Sequence, residues 1–311
     1  MKNLLTRLVG FGVFTAAVWV LIFLACSQSF NLEYRLIGQE TNWGYTNQRS
    51  SEWASQSDHT EEVLFFGSST CYSGIDPQAL EAHGLRGFNF CSSSQNVGNS
   101  LHLLEAALEE ASPKLVVLDA YPKVWGNSAA RFESTKDWMI NSNLRDDHWS
   151  QAYRRMAWES QDVFTLVQTY YYDGIRPFRK AGSNPNLKAD KNGIYRGRGW
   201  VERTFPPIDS IDCKTEHVEM TDYECSAVKS IRAMCEARGA QLILLNPPQL
   251  CEKAFDLPSC FEKLTYIDGN RWSGAKTPSN YYDDHHLVGK GARDYSTWLA
   301  GEIAELHQPR P

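Results

Sequence analysis

Three short, unbroken apolar runs constrain this chain most: Val63-Leu64-Phe65-Phe66, Leu115-Val116-Val117-Leu118 and Leu242-Ile243-Leu244-Leu245. Runs of this length without polar alternation read as strands buried on both faces. Each ends in turn or polar residues: Gly67-Ser68-Ser69, Asp119, and Asn246-Pro247-Pro248. Gly87-Phe88-Asn89-Phe90-Cys91 and Tyr266-Ile267-Asp268 read as two further short strands. Between the strands lie helical patterns near 96–110, with Leu101, Leu104, Ala107 and Leu108 on one face, and near 217–238 and 289–306. Such alternation predicts an α/β fold, a parallel sheet with helices on both faces. Working residues of such sheets gather at the carboxyl ends of strands. Ser69, the Ser92-Ser93-Ser94 turn and Asp119 all fall there.

The flanking segments differ in texture. Lys2 and Arg7 precede an uncharged run from Leu8 to Cys26. The run is close to the roughly 20 residues that cross a bilayer. With the basic flank at residues 1–7, the N-terminus is expected to stay cytoplasmic and the remainder to lie outside. A cleaved signal peptide or lipoprotein leader is the competing reading. Residues 27–60 are polar and aperiodic, and read as a stalk below an α/β domain at 61–311. Within that domain, about 124–215 is rich in Trp, Tyr, Arg and Asn, and reads as a helical insertion with a long loop.

A net charge of -6 argues against a nucleic-acid partner. Seven of the eight cysteines lie beyond the apolar run. In an oxidising compartment Cys213/Cys225 and Cys251/Cys260 are expected as short-range bridges, and Cys71 could meet Cys91. An odd thiol remains, for which Cys235 is the candidate. Buried reduced cysteines are the alternative.

Near the C-terminus stands Asp283-Asp284-His285-His286. With Ser69 it offers a hydroxyl, an imidazole and a carboxylate, the parts of a nucleophilic serine site. A carboxylate three residues before His286 can reach the far ring nitrogen. Each residue also has a plainer reading. Ser68-Ser69-Thr70 suits a helix cap, Asp284 another, and the Asp/His cluster suits a metal ion.

The blocks together resemble the SGNH/GDSL-type esterase superfamily, in its membrane-anchored branch of DltD-like and polysaccharide O-acetylation proteins. Val63 to Ser69, followed by Gly74-Ile75-Asp76-Pro77, is similar to the nucleophile block in its Gly-Ser-Ser variant. Asp283 to Leu287, followed by Gly291-Ala292, is similar to the terminal Asp-x-x-His-Leu block. Asn89 to Gln95 approximates the second block, with Ser94 or Cys91 where the family has glycine. The third-block Asn has no match; Asn127 is badly spaced.

The resemblance implies an SGNH hydrolase fold, a flavodoxin-like three-layer sandwich around a central parallel sheet. It implies Ser69, His286 and Asp283 as catalytic residues, with Ser69, Ser94 and Gln95 around the oxyanion and no cofactor. It also implies ester hydrolysis or O-acyl transfer on a cell-surface polysaccharide, beside a multi-spanning membrane acyltransferase. The departures in the second and third blocks favour a rival, a catalytically degenerate accessory protein that binds glycan. Trp125, Trp200, Arg196 and Arg198 in the insertion are candidate substrate contacts, since aromatic faces suit sugars and arginines suit acidic groups.

Overall fold

The computed structural model describes residues 2–30, 43–126, 130–160, 192–214, 217–252, 254–255, 261 and 264–307. Helix α1 spans Lys2–Phe30 and α2 Trp43–Ala54. Strand β1 (Val63–Phe66) leads into α3 (Ser69–Gly74), β2 (Gly87–Asn89), α4 (Val97–Ala107) and β3 (Leu115–Asp119). Helices α5 (Phe132–Asn141) and α6 (Asp147–Glu159) follow, then an antiparallel hairpin of β4 (Gly193–Gly197) and β5 (Trp200–Arg203). The chain closes with β6 (His217–Val218), α7 (Asp222–Ala237), β7 (Gln241–Asn246), β8 (Ala254–Phe255), β9 (Thr265–Asp268) and α8 (Gly289–His307).

The central sheet has the order β2-β1-β3-β7-β9, and every neighbouring pair is parallel. Numbered within the sheet this is the 2-1-3-4-5 winding, whose direction reverses between β1 and β3. Both faces are dry. Leu64, Phe66, Val116, Leu118, Leu242 and Leu244 pack with α4, α6 and α7. Val63, Phe65, Leu115, Val117, Ile243 and Leu245 pack with α3 and α8 on the other side. The period-two alternation of a strand thus feeds two apolar cores, and explains why the runs carry no polar residues.

Helix α1 has apolar side chains around its circumference, with Leu4, Phe11, Phe14 and Trp19 all exposed. It is long and apolar enough to cross a membrane.

Two expectations need correction. The segment expected as a stalk through residue 60 contains α2, which packs on the domain. Tyr45, Arg49 and Trp53 are buried, and Trp53 stands edge-on to Phe88 and Phe90. The helix is polar in composition, so its few anchors give weak periodicity, and the partners that bury them are distant in sequence. The cysteine pairing also differs. Cys71 bridges Cys91, as expected, but Cys213 bridges Cys251 rather than Cys225. The Cys251 N–H donates to Asp284 O at 3.0 Å, so a long-range contact, not sequence proximity, seats this bridge. Cys225 is also oxidised, and Cys235 is free and buried.

Within the described part of the insertion, α5 and α6 are followed by the β4–β5 hairpin, which stands where a long loop was expected. Helices α5 and α6 stack Trp138, Trp149 and Met156 onto the α4 side of the core. Tyr170-Tyr171-Tyr172 lie outside the described residues.

Candidate active site

The reversal point between β1 and β3 gathers the candidate residues. β1 ends at Phe66, and Gly67 lets its neighbour come close: a Cβ there would lie 2.1 Å from Asp119 Cβ. Ser68 occupies the N-cap position of α3 yet makes no side-chain cap bond. Its hydroxyl instead donates to Asp119 Oδ2 at 2.8 Å, and its N–H to the same oxygen at 3.0 Å. Thr70 Oγ1 joins them at 2.8 Å, and Asp119 Oδ1 accepts the Tyr121 N–H at 2.9 Å. Four donors thus converge on one buried carboxylate. Burial pushes the Asp119 carboxyl above its ordinary range, while these hydrogen bonds oppose that shift. Between buried Ser68 and Thr70, Ser69 is the half-buried residue.

His286 arrives from 217 residues away, with Nε2 2.8 Å from Ser69 Oγ. Its Nδ1 lies 2.7 Å from Asp283 Oδ2. The other oxygen, Asp283 Oδ1, accepts the N–H groups of His285 and His286 at 2.9 and 2.7 Å. One carboxylate therefore shapes the turn and orients the ring that the turn carries. A bridge between Tyr281 and Leu287 closes the loop, and Tyr282 donates to His286 O at 3.1 Å. Burial alone would raise the Asp283 carboxyl, but the hydrogen bond and charge of His286, with His285, hold it well below the usual carboxylate range.

Two rings fix His286 further. Tyr282 lies parallel to it at 5.3 Å, and His285 packs 3.9 Å away. His285 is itself stacked on Tyr121 and hydrogen-bonded to Asp284. Burial, and then the neighbouring His286, push the His285 imidazole down to about 4. At neutral pH it is therefore an uncharged neighbour of His286. Nothing local in the sequence marks Tyr282 or Tyr121 as partners of the histidines. Asp119 was visible as a strand-end acid, but not as the anchor of the serine turn.

The Ser92–Ser94 turn sits beside the serine, since Ser92 donates its N–H to Gly67 O at 3.1 Å. Glu133 of α5 holds it, accepting from Ser93 Oγ at 2.5 Å and Ser94 Oγ at 2.8 Å. Ser94 adopts φ 53°, the left-handed conformation that glycine takes most easily. Gln95 departs from expectation. Its side chain is fully buried, its carbonyl accepts from Ser92 and Trp138, and its amide donates to Ser100 at 3.1 Å. That amide is committed to the core and does not line the site.

The proposed sugar contacts are taken up by the protein itself. Trp125 is buried edge-on to Phe261. Trp200 is buried behind α3, its Nε1 donating to Ser73 O at 3.2 Å. Neither offers a face to a ligand. Arg196 is paired with Glu202 at 2.6 Å, and Arg198 with Glu81 at 2.5 Å. Both charges are already countered by the protein's own carboxylates. Trp200, Arg196 and Arg198 reflect packing and pairing of the hairpin, and Trp125 packing on Phe261, which composition cannot distinguish from a groove.

Chemically, the arrangement supplies an alcohol within reach of a base, and a base held in one tautomer by a carboxylate. Asp283, His285 and His286 also bring ligand-type atoms within 4.8 Å of one another.

No protein-family model matches the chain, and no curated protein matches it. Among solved structures, a GDSL-like lipase from Bacteroides thetaiotaomicron is similar at 11% identity and a TM-score of 0.40, covering 86% of this chain and all of its own. A candidate acylhydrolase from Bacteroides fragilis is similar at 12% identity and a TM-score of 0.38, covering 86% of this chain and 99% of its own.

Proposed function

We propose that this chain is a serine esterase or O-acyltransferase working through an acyl-Ser69 intermediate. The observation that carries the reading is His286 bridging Ser69 Oγ and Asp283 at 2.8 and 2.7 Å. His286 Nε2 takes the Ser69 proton as Oγ attacks an ester carbonyl. The tetrahedral adduct collapses, the ester C–O bond breaks, and His286 returns the proton to the leaving alkoxide. Water or an acceptor hydroxyl then gives its proton to His286 and attacks the acyl carbon, and His286 passes that proton to Ser69 Oγ as the acyl–Oγ bond breaks. Asp283 keeps the imidazole in place and stabilises its protonated form.

Backbone N–H groups serve the oxyanion in this reading. Ser69 begins α3, so its N–H has no carbonyl within the helix to serve. The Ser94 turn supplies a second, and the Gln95 amide takes no part. Such donors act where negative charge develops on the carbonyl oxygen.

In this reading the exposed apolar helix α1, long and apolar enough for a span, anchors the α/β domain outside the cytoplasm. The Cys71–Cys91 and Cys213–Cys251 bridges agree with an oxidising compartment. A membrane-bound enzyme of this kind would act on acyl esters of a cell-surface polysaccharide, beside a multi-spanning acyltransferase. The competing reading, a degenerate glycan-binding accessory, draws support from the oxyanion side, where the expected Gln95 amide is buried and bonded to Ser100.

A fluorophosphonate probe and burst release of p-nitrophenol from its acetate test the proposal. The enzyme reading expects labelling and a burst in the parent protein, and neither in Ser69→Ala or His286→Ala. A parent protein that is folded, unlabelled and inactive on acylated glycans would leave the accessory reading standing.

A further inference from the structure

We infer that the β4–β5 turn, clamped by Arg49 and Glu52 of α2, positions the serine helix, and that it acts through Asn89. The inference rests on the serine reading, and the residues it adds are positioning residues.

Asn89, the last residue of β2, is fully buried, and its side chain joins the two halves of the candidate site. Its Nδ2 donates to Cys71 O at 3.1 Å, within the helix that Ser69 begins. Its Oδ1 accepts the N–H of Cys91, which leads into the Ser92–Ser94 turn, at 2.9 Å. One amide thus sets the spacing between the nucleophile helix and the turn beside it.

β2 is the edge strand of the sheet, and the hairpin turn covers that edge at Asn89. Arg198 O accepts the Asn89 N–H at 3.0 Å. Gly199 lies so close that a Cβ there would stand 2.0 Å from Asn89 O. Water is kept from the Asn89 amide, and hydrogen bonds in such dry surroundings are stronger.

The turn does not hold its own shape. Gly197 pairs with Trp200, which leaves Arg198-Gly199 as a two-residue loop with φ of 49° and 83°. Glycine or asparagine takes such angles readily, and arginine does not. Among the described residues Arg198 and Ser94 are the two non-glycine residues with positive φ, and they flank Asn89 on opposite sides. Such conformations persist where the surroundings impose them, and they gather at working sites. Here α2 imposes it. Both Glu52 oxygens accept the Arg198 N–H, at 2.9 and 2.8 Å, and one also accepts the Tyr195 hydroxyl. That hydroxyl in turn accepts the Gly199 N–H at 3.0 Å. Buried Arg49 donates to Gly199 O at 2.8 Å. A run of hydrogen bonds therefore leads from α2, through the turn and Asn89, to α3 and the Ser92–Ser94 turn.

The test compares Glu52→Ala with Asn47→Ala in the full chain in detergent. Each loses one α2 contact, since Asn47 donates to Asn141 O at 3.0 Å, but only Glu52 touches the turn. The readouts are the rate of Ser69 labelling by a fluorophosphonate, kcat and KM on p-nitrophenyl acetate, and amide exchange over 69–74 and 91–95. All are taken at a temperature where both variants are folded. In Glu52→Ala, labelling and kcat should fall by about tenfold or more with KM within about twofold, and exchange should quicken in both segments. Asn47→Ala should match the parent. Glu52→Gln keeps an oxygen for the Arg198 N–H and should recover most of the rate. In an Asn89→Ala background Glu52→Ala should add no further loss, because its effect runs through Asn89. Should Asn89→Ala fail to fold, the first comparison still decides. Labelling and exchange in Glu52→Ala equal to the parent's would overturn the inference and leave the serine reading intact. Equal slowing in Asn47→Ala would overturn it in favour of general loosening. A parent that is not labelled sinks the serine reading, and the exchange rates alone then decide whether α2 holds the two segments.

Discussion

Asp119, at the end of β3, holds Ser68, in the turn after β1, through both its N–H and its hydroxyl, at 3.0 and 2.8 Å. The residue that aims the serine is thus on a different strand from the serine itself. Asp119→Ala removes the acceptor for four donors, and each buried unpaired donor costs about 1–3 kcal/mol. With partial relaxation, a loss of about 3–5 kcal/mol is expected in urea unfolding. Asp119→Asn keeps one oxygen but presents an NH2 to the Tyr121 N–H or to the serine turn. A smaller stability loss, about 1–2 kcal/mol, should accompany a fall in kcat with KM nearly unchanged. A variant with wild-type kcat would show that the carboxylate does not position Ser69.

Asp283 accepts from His286 at both the ring and the backbone. Asp283→Asn can hold the ring in the wrong tautomer, with the proton on the nitrogen that faces Ser69. Loss of kcat on the order of 10³–10⁴-fold is expected, with Ser69 labelling by fluorophosphonate slowed in parallel. The carboxyl is held below its ordinary range, so its folded value lies under its unfolded one. Its contribution to stability is then complete above about pH 4 and declines as the solution becomes more acid. The stability gap between wild type and Asp283→Asn should narrow on acidification through that window. A gap that widened would contradict the sign.

His285 is pushed from 6.5 down to about 4 by burial and by His286. A depressed histidine lends stability above its unfolded value, and that stability drains as pH falls from about 6.5 to about 4. That difference corresponds to at most about 3.5 kcal/mol, since one pKa unit is about 1.4 kcal/mol. His285→Gln should be nearly flat over this range in pH-dependent urea unfolding, where the parent slopes. The acid limb of the pH–rate profile above pH 5 should keep its shape in the same variant, because His285 is already uncharged there. A displaced limb would make His285 the titrating base.

Gln95 and Ser94 separate packing from chemistry. Gln95→Ala strips partners from Ser92, Trp138 and Ser100, and should cost about 2–3 kcal/mol while Ser69 labelling continues at a similar rate. Ser94→Gly retains the N–H and suits φ 53°, so activity should persist and stability change by about 0.5–1 kcal/mol. If Gln95→Ala stayed stable but lost labelling, the buried amide would after all serve the oxyanion.

What could be read from sequence follows from range. The strands were legible because two apolar cores demand unbroken runs such as Val63–Phe66. Ser69 and the Asp283/His286 pair were legible because each lies in a local pattern, although their 2.8 Å approach is made only by the sheet. Helix α2 was not, since Trp53 is anchored by Glu110 and by Phe88 and Phe90, all far along the chain. The same holds for Trp200, whose partner is Ser73 O, and for the Cys213–Cys251 bridge. In each case a long-range partner decides between burial and exposure, and local composition carries no record of it.

Cys71 lies two residues after Ser69, and Cys91 lies three before Ser94, so their bridge spans the two sides of the proposed oxyanion site. The Cα atoms are 5.9 Å apart across a sequence separation of 20. Closing a loop of that length constrains the unfolded chain by about 3 kcal/mol. The bridge also limits drift of the serine turn relative to the Ser92–Ser94 turn. Cys71→Ala/Cys91→Ala should therefore lose about 2–4 kcal/mol in urea unfolding. At a temperature where the variant is still folded, its kcat should fall with little change in KM, because oxyanion donors act on the transition state rather than on bound ester. The Cys213–Cys251 bridge abuts the Asp283–His286 loop rather than these donors, through the Cys251 N–H on Asp284 O, so Cys213→Ala/Cys251→Ala should lose stability and a smaller share of kcat under the same conditions. Equal losses of kcat in both double variants would mean that general loosening, not spacing of the two turns, governs the rate.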